Sequence, residues 1–192
     1  MGAGSSRPVS IVVSGGAAIP MGDFKDYHPL GIHGDVSLVV KLAGQAIRLR
    51  PEISFQRFAL KDRVAEVVPL SVSPALATLS RPATLARAIP GDGASGGASS
   101  LLSVLGNVEL PLAGGVYLIG GVGAGHVTTG ATGATTDVSQ TALTYNGGAG
   151  VRFRVGAVAG FVEGRLQNLS IDEGKALFRD VRTIPVTVGI VF

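Results

Sequence analysis

Acidic and basic side chains recur at every second position in several otherwise apolar stretches of this sequence. In residues 47–58, IRLRPEISFQRF, the charged residues Arg48, Arg50 and Glu52 alternate with isoleucine, leucine and proline. Period-two alternation gives a β-strand one polar and one apolar face, so the charges of neighbouring strands meet on one side. Because an unpaired buried charge is costly, we expect these side chains to pair in a common interior. The predicted interior charge network contains Asp35, Lys41, Arg48, Arg50, Glu52, Glu109, Arg152, Arg154, Glu163 and Arg165.

Histidine offers a second kind of chemistry. The stretch GHVTTG puts His126 two residues before Thr128, but no acidic residue is spaced to support a nucleophile and base. His28 follows Asp23 and Asp26 in a spacing that matches no closed metal site, so we expect all three to be solvated loop residues. The glycines of GGVGAG precede no helix, which argues against a phosphate-binding loop. The sequence therefore predicts no catalytic residue, no cofactor and no metal.

The alternation that positions the charges is typical of β-strands. The chain contains 29 glycines, many inside apolar stretches, and glycine disfavours a helix interior. Strand-like alternation recurs in eight segments, at residues 8–20, 31–42, 47–58, 101–112, 115–127, 143–155, 158–166 and 183–192.

The connections between these segments alternate strictly between short and long. AGQA, AG and GA join three pairs, whereas GDFKDYHPLG, residues 61–100, TTGATGATTDVSQ and SIDEGKALFRDVR join the others. All long connections must then lie at one end of an antiparallel sheet, which is the pattern of transmembrane barrels with short periplasmic turns and long extracellular loops. The sequence predicts a single domain over residues 1–192, an all-β, eight-stranded antiparallel up-and-down barrel with residues 61–100 as a long extracellular loop.

Composition favours a membrane barrel over a soluble one. Mean hydropathy is +0.43, yet no apolar run approaches the roughly 18 residues that a membrane helix needs. A soluble barrel or sandwich would alternate in the same way, but the polar face here is rich in Gly, Ser, Asn and Thr rather than in Lys and Glu. The net charge of +3 is scattered, which indicates no nucleic-acid partner, and cysteine is absent.

Several motifs resemble the small eight-stranded outer-membrane barrels of the OmpA and OmpX kind. They are GGVYLIGGVGAGHV, YNGGAGVRFRV followed by AGFVEGRLQN, and the closing IPVTVGIVF. The resemblance implies outer-membrane lipid as surroundings and a terminal signal for the barrel-assembly machinery. Carried onto this chain, the signal comprises Ile184, Val186, Val188, Ile190 and Phe192.

The predicted function is a structural or surface-interaction role in the outer membrane of a Gram-negative bacterium, as a monomer and not as an enzyme. We expect Glu163 to pair with Arg152 or Arg165 and the charges to fill the lumen; a narrow channel for small solutes or ions, and a lipid-modifying enzyme, remain alternatives. An extracellular protein or ligand would bind the long loops. No signal peptide is evident, so we expect an exported mature form. A thin aromatic girdle is predicted from Tyr117, Tyr145, Phe153 and Phe192.

Overall fold

Eight antiparallel strands form a closed barrel, which confirms the predicted fold. The structure is a computed structural model that describes residues 8–42, 46–61, 97–130, 138–170 and 180–192. Each strand pairs with the next along the chain, and the last pairs with the first. The strands are β1 (Val9–Met21), β2 (Gly31–Lys41), β3 (Arg48–Ala59), β4 (Ala98–Pro111), β5 (Val116–Gly130), β6 (Val138–Val155), β7 (Val158–Ser170) and β8 (Asp180–Val191).

Closure between β1 and β8 uses the last residues of the sequence. Their register runs from Val12 opposite Val191 to Met21 opposite Arg182. Beyond it, the Phe192 amide donates to the Ile11 carbonyl at 2.8 Å, and the Ile11 amide donates to the Phe192 carbonyl at 3.2 Å. Closure removes the unpaired strand edges that lipid does not tolerate.

The two ends of the barrel differ. Residues 112–115, with a short 3₁₀ helix at Ala113–Gly115, and residues 156–157 connect strands at one end, which we call the turn end. At the opposite end, which we call the loop end, an unpredicted helix α1 (Asp23–Tyr27) follows β1. In the described part of the chain, no helix has the length and apolar composition needed to cross a membrane. Residues 62–96, most of the predicted long loop, lie outside the described residues.

The outward face of the barrel is apolar and exposed. Val36, Val122 and Val188 are 53%, 61% and 58% exposed. The inward residues that alternate with outward ones along the strands are mostly polar and buried. This is the reverse of a soluble protein, and it suits a barrel whose outer surface contacts lipid. Tyr145, Phe153 and Phe192 belong to the outward face, but the prediction that Tyr117 joins them is wrong: Tyr117 is inward and 1% exposed, because its strand alternates with the opposite parity.

Side chains fill the lumen in layers. At the loop end, Phe24 of α1 enters an apolar layer, the loop-end cluster, formed by Ala18, Phe24, Phe58, Leu101, Val127, Leu169 and Val181. Toward the turn end a second apolar layer, the turn-end cluster, is formed by Val12, Val39, Tyr117, Ile119 and Phe161. Buried polar and charged side chains lie between the two layers.

Inward glycines make room for the largest lumen side chains. A Cβ added to Gly150 would overlap the Tyr117 ring, and one added to Gly148 would overlap the Gly164 carbonyl oxygen and lie 2.8 Å from Cγ of Arg165. The interior of an eight-stranded barrel is only just wide enough for its side chains. The glycines of β6 therefore allow a tyrosine and an arginine to cross it.

Candidate functional site

Five charged side chains meet between the two apolar layers, and we call them the central charge cluster: Asp35, Arg50, Glu52, Glu163 and Arg165. Arg165 of β7 donates from Nη1 to both Glu52 carboxylate oxygens at 2.9 Å. Its Nε lies 2.8 Å from Glu163 Oε1. Both Arg165 and Glu52 are 3% exposed. Charge-assisted contacts of this length are strong at a buried site, so the two contacts with Glu52 fasten β7 to β3 across the lumen.

Arg50 completes the cluster from β3. Its Nη1 donates to Glu163 Oε2 at 2.8 Å, and its Nε donates to Ser37 Oγ at 2.9 Å. Asp35 Oδ1 lies 3.6 Å from Arg50 Nη2. The Tyr117 hydroxyl donates to Glu163 Oε2 at 2.7 Å, so Glu163 contacts two guanidinium groups and a phenol.

Carboxylates outnumber guanidinium groups in this cluster, three to two. Asp35 has additional polar neighbours, because the Ser14 hydroxyl donates to Oδ2 and His33 Nε2 lies 3.3 Å from the same oxygen. The carboxylates therefore depend on the two arginines, and Asp35 also on the Ser14 hydroxyl and the His33 ring. Losing a positive charge should affect the cluster more than losing a negative one.

A second charged group lies on the turn-end side of the turn-end cluster. We call Lys41, Arg48, Glu109, Arg152 and Arg154 the turn-end mouth. Glu109 Oε1 lies 2.9 Å from Arg48 Nη1, and Glu109 Oε2 lies 2.5 Å from Arg152 Nη2. Lys41 is half-buried and Arg154 is exposed, and neither has an ion pair within the described ranges.

The ten residues of the predicted network thus divide into two groups of five. Of the two partners expected for Glu163, Arg165 contacts it, whereas Arg152 contacts Glu109 instead. The Arg152 guanidinium lies over the Tyr117 ring, with 5.1 Å between Cζ and the ring centroid. Tyr117 therefore contacts both groups, because its hydroxyl donates to Glu163 of the central charge cluster.

Neutral polar side chains that we did not predict extend the network. Gln56 donates to Gln167 Oε1 at 2.8 Å, and Gln167 donates to Ser103 Oγ at 3.0 Å. Asn107 donates to Glu52 Oε2 at 3.3 Å and accepts from Asn146 Nδ2 at 2.8 Å. The alternation predicts their inward parity but not their partners, most of which lie on strands that are not adjacent.

The histidine at the loop end differs from the prediction. Asp23 and Asp26 are exposed as expected, but His28 is fully buried, because α1 places its ring over the loop end of the barrel. His28 Nδ1 donates to the Phe24 carbonyl at 3.1 Å, which leaves Nε2 to accept from Ser99 Oγ at 2.8 Å. Burial lowers the pKa of His28, and the nearby Lys61 adds to that effect, while the bond to Phe24 opposes it. The buried ring is therefore held in its neutral form.

The other candidate chemistry lies on the outward face. His126 Nδ1 is 2.8 Å from Thr141 Oγ1 on the neighbouring strand, and Thr128 follows on the same face of β5. Among the described residues, no group of three or more His, Cys, Asp or Glu side chains is arranged to hold a metal ion. The predicted assembly-signal residues all have outward parity on β8, and Phe192 is 62% exposed.

Comparison with solved structures identifies the class of fold. Neisserial surface protein A matches with a TM-score of 0.56 at 11% identity, covering 96% of both chains. The attachment invasion locus protein Ail of Yersinia pestis matches with a TM-score of 0.53 at 15% identity, covering 96% of this chain and 97% of that one. Ail in complex with the heparin analogue sucrose octasulfate gives 0.52 at 16% identity, with 96% coverage of both chains. The chain has the fold of the small eight-stranded outer-membrane β-barrels.

At these identities the likeness concerns the fold alone. No protein-family model matches the sequence, and the search of curated proteins gives no significant match.

Proposed function

We propose that this chain is a bacterial outer-membrane β-barrel with a structural or surface-interaction role. The observation that carries the proposal is the filled lumen. Two apolar layers enclose the central charge cluster, and each of its five charged side chains has a partner of opposite charge. Such an interior suits a rigid scaffold better than a path for solutes. We therefore expect other molecules to bind at the ends of the barrel.

The two alternatives have weaker support. In a narrow channel, the arginines of the central charge cluster would have to separate from the carboxylates that they now contact at 2.8–2.9 Å. Both apolar layers would also have to open. A lipid-modifying enzyme would need a nucleophile bonded to a base. His126 Nδ1 lies 2.8 Å from Thr141 Oγ1, on the neighbouring strand, rather than contacting Thr128.

The proposal includes the surroundings of the barrel. The exposed aliphatic belt suits outer-membrane lipid, and Phe192 with its stripe on β8 would be read by the barrel-assembly machinery. The barrel would act as a monomer, with its loop end outside the cell. The resemblance of the fold to Ail, which was solved with a sulfated heparin analogue, supports a search for extracellular ligands at that end.

Display of the loop end can be tested on intact cells that produce the full chain. Trypsin should cut after Arg63 or Arg87, in the predicted long loop, and leave a folded barrel that migrates differently in gels before and after boiling. Cleavage only after the outer membrane has been permeabilised would contradict the proposed orientation.

A deletion in the predicted long loop tests folding of the barrel and ligand binding separately. Removing residues 65–90 should leave the heat-modifiable gel mobility unchanged, because the described strands do not include them. If the loop binds ligands, the deletion should abolish binding of sucrose octasulfate by the refolded full-length barrel. Equal binding by both forms would exclude the loop as the binding surface for that probe.

A further inference from the structure

The turn-end mouth surrounds a cavity of about 620 Å³. Lys41, Arg48, Arg152 and Arg154 all line it, and the carboxylate of Glu109 is shared between Arg48 and Arg152. The mouth therefore has four cationic side chains and one anionic side chain. This charge ratio is the opposite of that in the central charge cluster, where anions are in excess.

Within the described ranges, two cations of the mouth lack an ion pair. They are Lys41 and Arg154, and both line the cavity. Arg152 also lines the cavity, and its Nη2 contacts Glu109. The cavity therefore offers several donors to an anion.

Apart from Ser10, the other residues that line the cavity are apolar. Phe153 and Phe192 line it and are also exposed on the outward face, at 44% and 62%. Val39 and Val191 continue the apolar wall toward the lumen. The cavity is therefore reached from the level at which lipid meets water at the turn end, with cations on one side and aromatic rings on the other.

We propose that the turn-end mouth binds a phosphate group, and that its source is an anionic phospholipid of the leaflet at the turn end. Arginine forks and lysine ammonium groups are the usual ligands of phosphate oxygens. The aromatic and aliphatic walls favour a lipid headgroup over free phosphate, because they would contact its glycerol and upper acyl chain.

Native mass spectrometry of the full barrel in uncharged detergent tests this site. The probes are phosphatidylglycerol, phosphatidylcholine and inorganic phosphate, each titrated separately. The test variant Lys41→Gln/Arg154→Gln removes the two cations that lack an ion pair, and the matched control Lys25→Gln/Arg57→Gln removes two exposed cations near the loop end. Heat-modifiable mobility verifies that each variant is folded, and Arg154→Gln alone provides a milder change.

The expected loss of phosphatidylglycerol affinity is about fivefold for each cation removed, hence about 25-fold for the test variant, with less than about twofold for the control. Phosphatidylglycerol binding that exceeds phosphatidylcholine binding and is lost in the test variant supports the lipid site. Inorganic phosphate bound as tightly as the lipid would support the phosphate site but overturn the lipid as its source. Equal losses in test and control variants, or no preference for either phosphate-bearing anion over phosphatidylcholine, would overturn the proposal.

Discussion

Replacing Arg165 by methionine should reveal how much the central charge cluster contributes to stability. Methionine keeps an unbranched apolar stem, but it is shorter than arginine and lacks the guanidinium. The change deletes two contacts of 2.9 Å to Glu52 and one of 2.8 Å to Glu163, at a site that is 3% exposed. Methionine has no polar group that needs a hydrogen bond. The change in the free energy of unfolding therefore reports on Glu52 and Glu163, which lose their contacts with Arg165.

The magnitude follows from the charge count. Without Arg165, three carboxylates share the single guanidinium of Arg50 in an interior shielded from water. Removing one partner of a buried ion pair typically costs about 3–5 kcal/mol, because the remaining charge is uncompensated. We expect Arg165→Met to lower the free energy of unfolding by this amount.

The complementary variant Glu163→Gln should be milder. It leaves two carboxylates with two guanidinium groups, and the amide oxygen can still accept from Tyr117 or Arg50. We expect a loss of about 1–3 kcal/mol, the typical cost of a buried hydrogen bond that is poorly replaced. The variant Asp23→Asn, an exposed carboxylate changed to an amide, serves as the control and should change stability by less than about 0.5 kcal/mol.

Reversible urea unfolding in phospholipid vesicles gives the three free energies under one condition. The decisive quantity is the order of the losses, with Arg165→Met above Glu163→Gln and both above Asp23→Asn. If Arg165→Met costs less than Glu163→Gln, an excess of carboxylates does not govern the cluster, and the reasoning from charge balance fails.

Three further changes test other parts of the barrel. Lowering the pH below 6.5, the ordinary pKa of histidine, should destabilise the barrel, because the unfolded chain then takes up a proton that buried His28 resists. His28→Gln should flatten this part of the pH dependence of unfolding. Parallel curves for the two proteins would argue against a contribution from His28. Gly150→Ala should cost about 1–3 kcal/mol because its methyl group meets the Tyr117 ring, whereas Gly147→Ala, with no heavy atom within 4 Å, should be nearly neutral in the same urea assay. Phe192→Ala should reduce the amount of folded barrel in the outer membrane of cells but not refolding into detergent; equal losses in both would indicate a stability effect and not an assembly signal.

Alternation in the sequence was sufficient to predict the strands and most of their faces. Residues 47–58 were predicted as a strand with Arg50 and Glu52 on the polar side, and β3 spans Arg48–Ala59 with both side chains inward. Side chains alternate between the two faces of a strand, so the pattern predicts which face each residue occupies. A shift of one residue would move every inward charge to the outward face. The same signal failed for Tyr117, since glycines interrupt the pattern in β5 and an aromatic near a strand end suggested the girdle.

The partners across the lumen were harder to predict. Arg165 and Glu52 are 113 residues apart, and their contact depends on the tilt and stagger of the strands, which local patterning does not report. For the same reason Arg152 was expected near Glu163 but contacts Glu109. His28 is predicted to be a solvated loop residue because its spacing from Asp23 and Asp26 matches no closed metal site, whereas its burial depends on α1 folding over the barrel.

The lumen of this barrel is closed by its own side chains. Single-channel recording in a planar bilayer tests this closure most directly, with the refolded protein first shown to be folded by its heat-modifiable mobility. We predict no conductance steps above the bare bilayer, because two apolar layers and a paired charge cluster occupy the path. Stable unitary steps that change in size in Arg165→Met would contradict the claim and favour a channel through the central charge cluster.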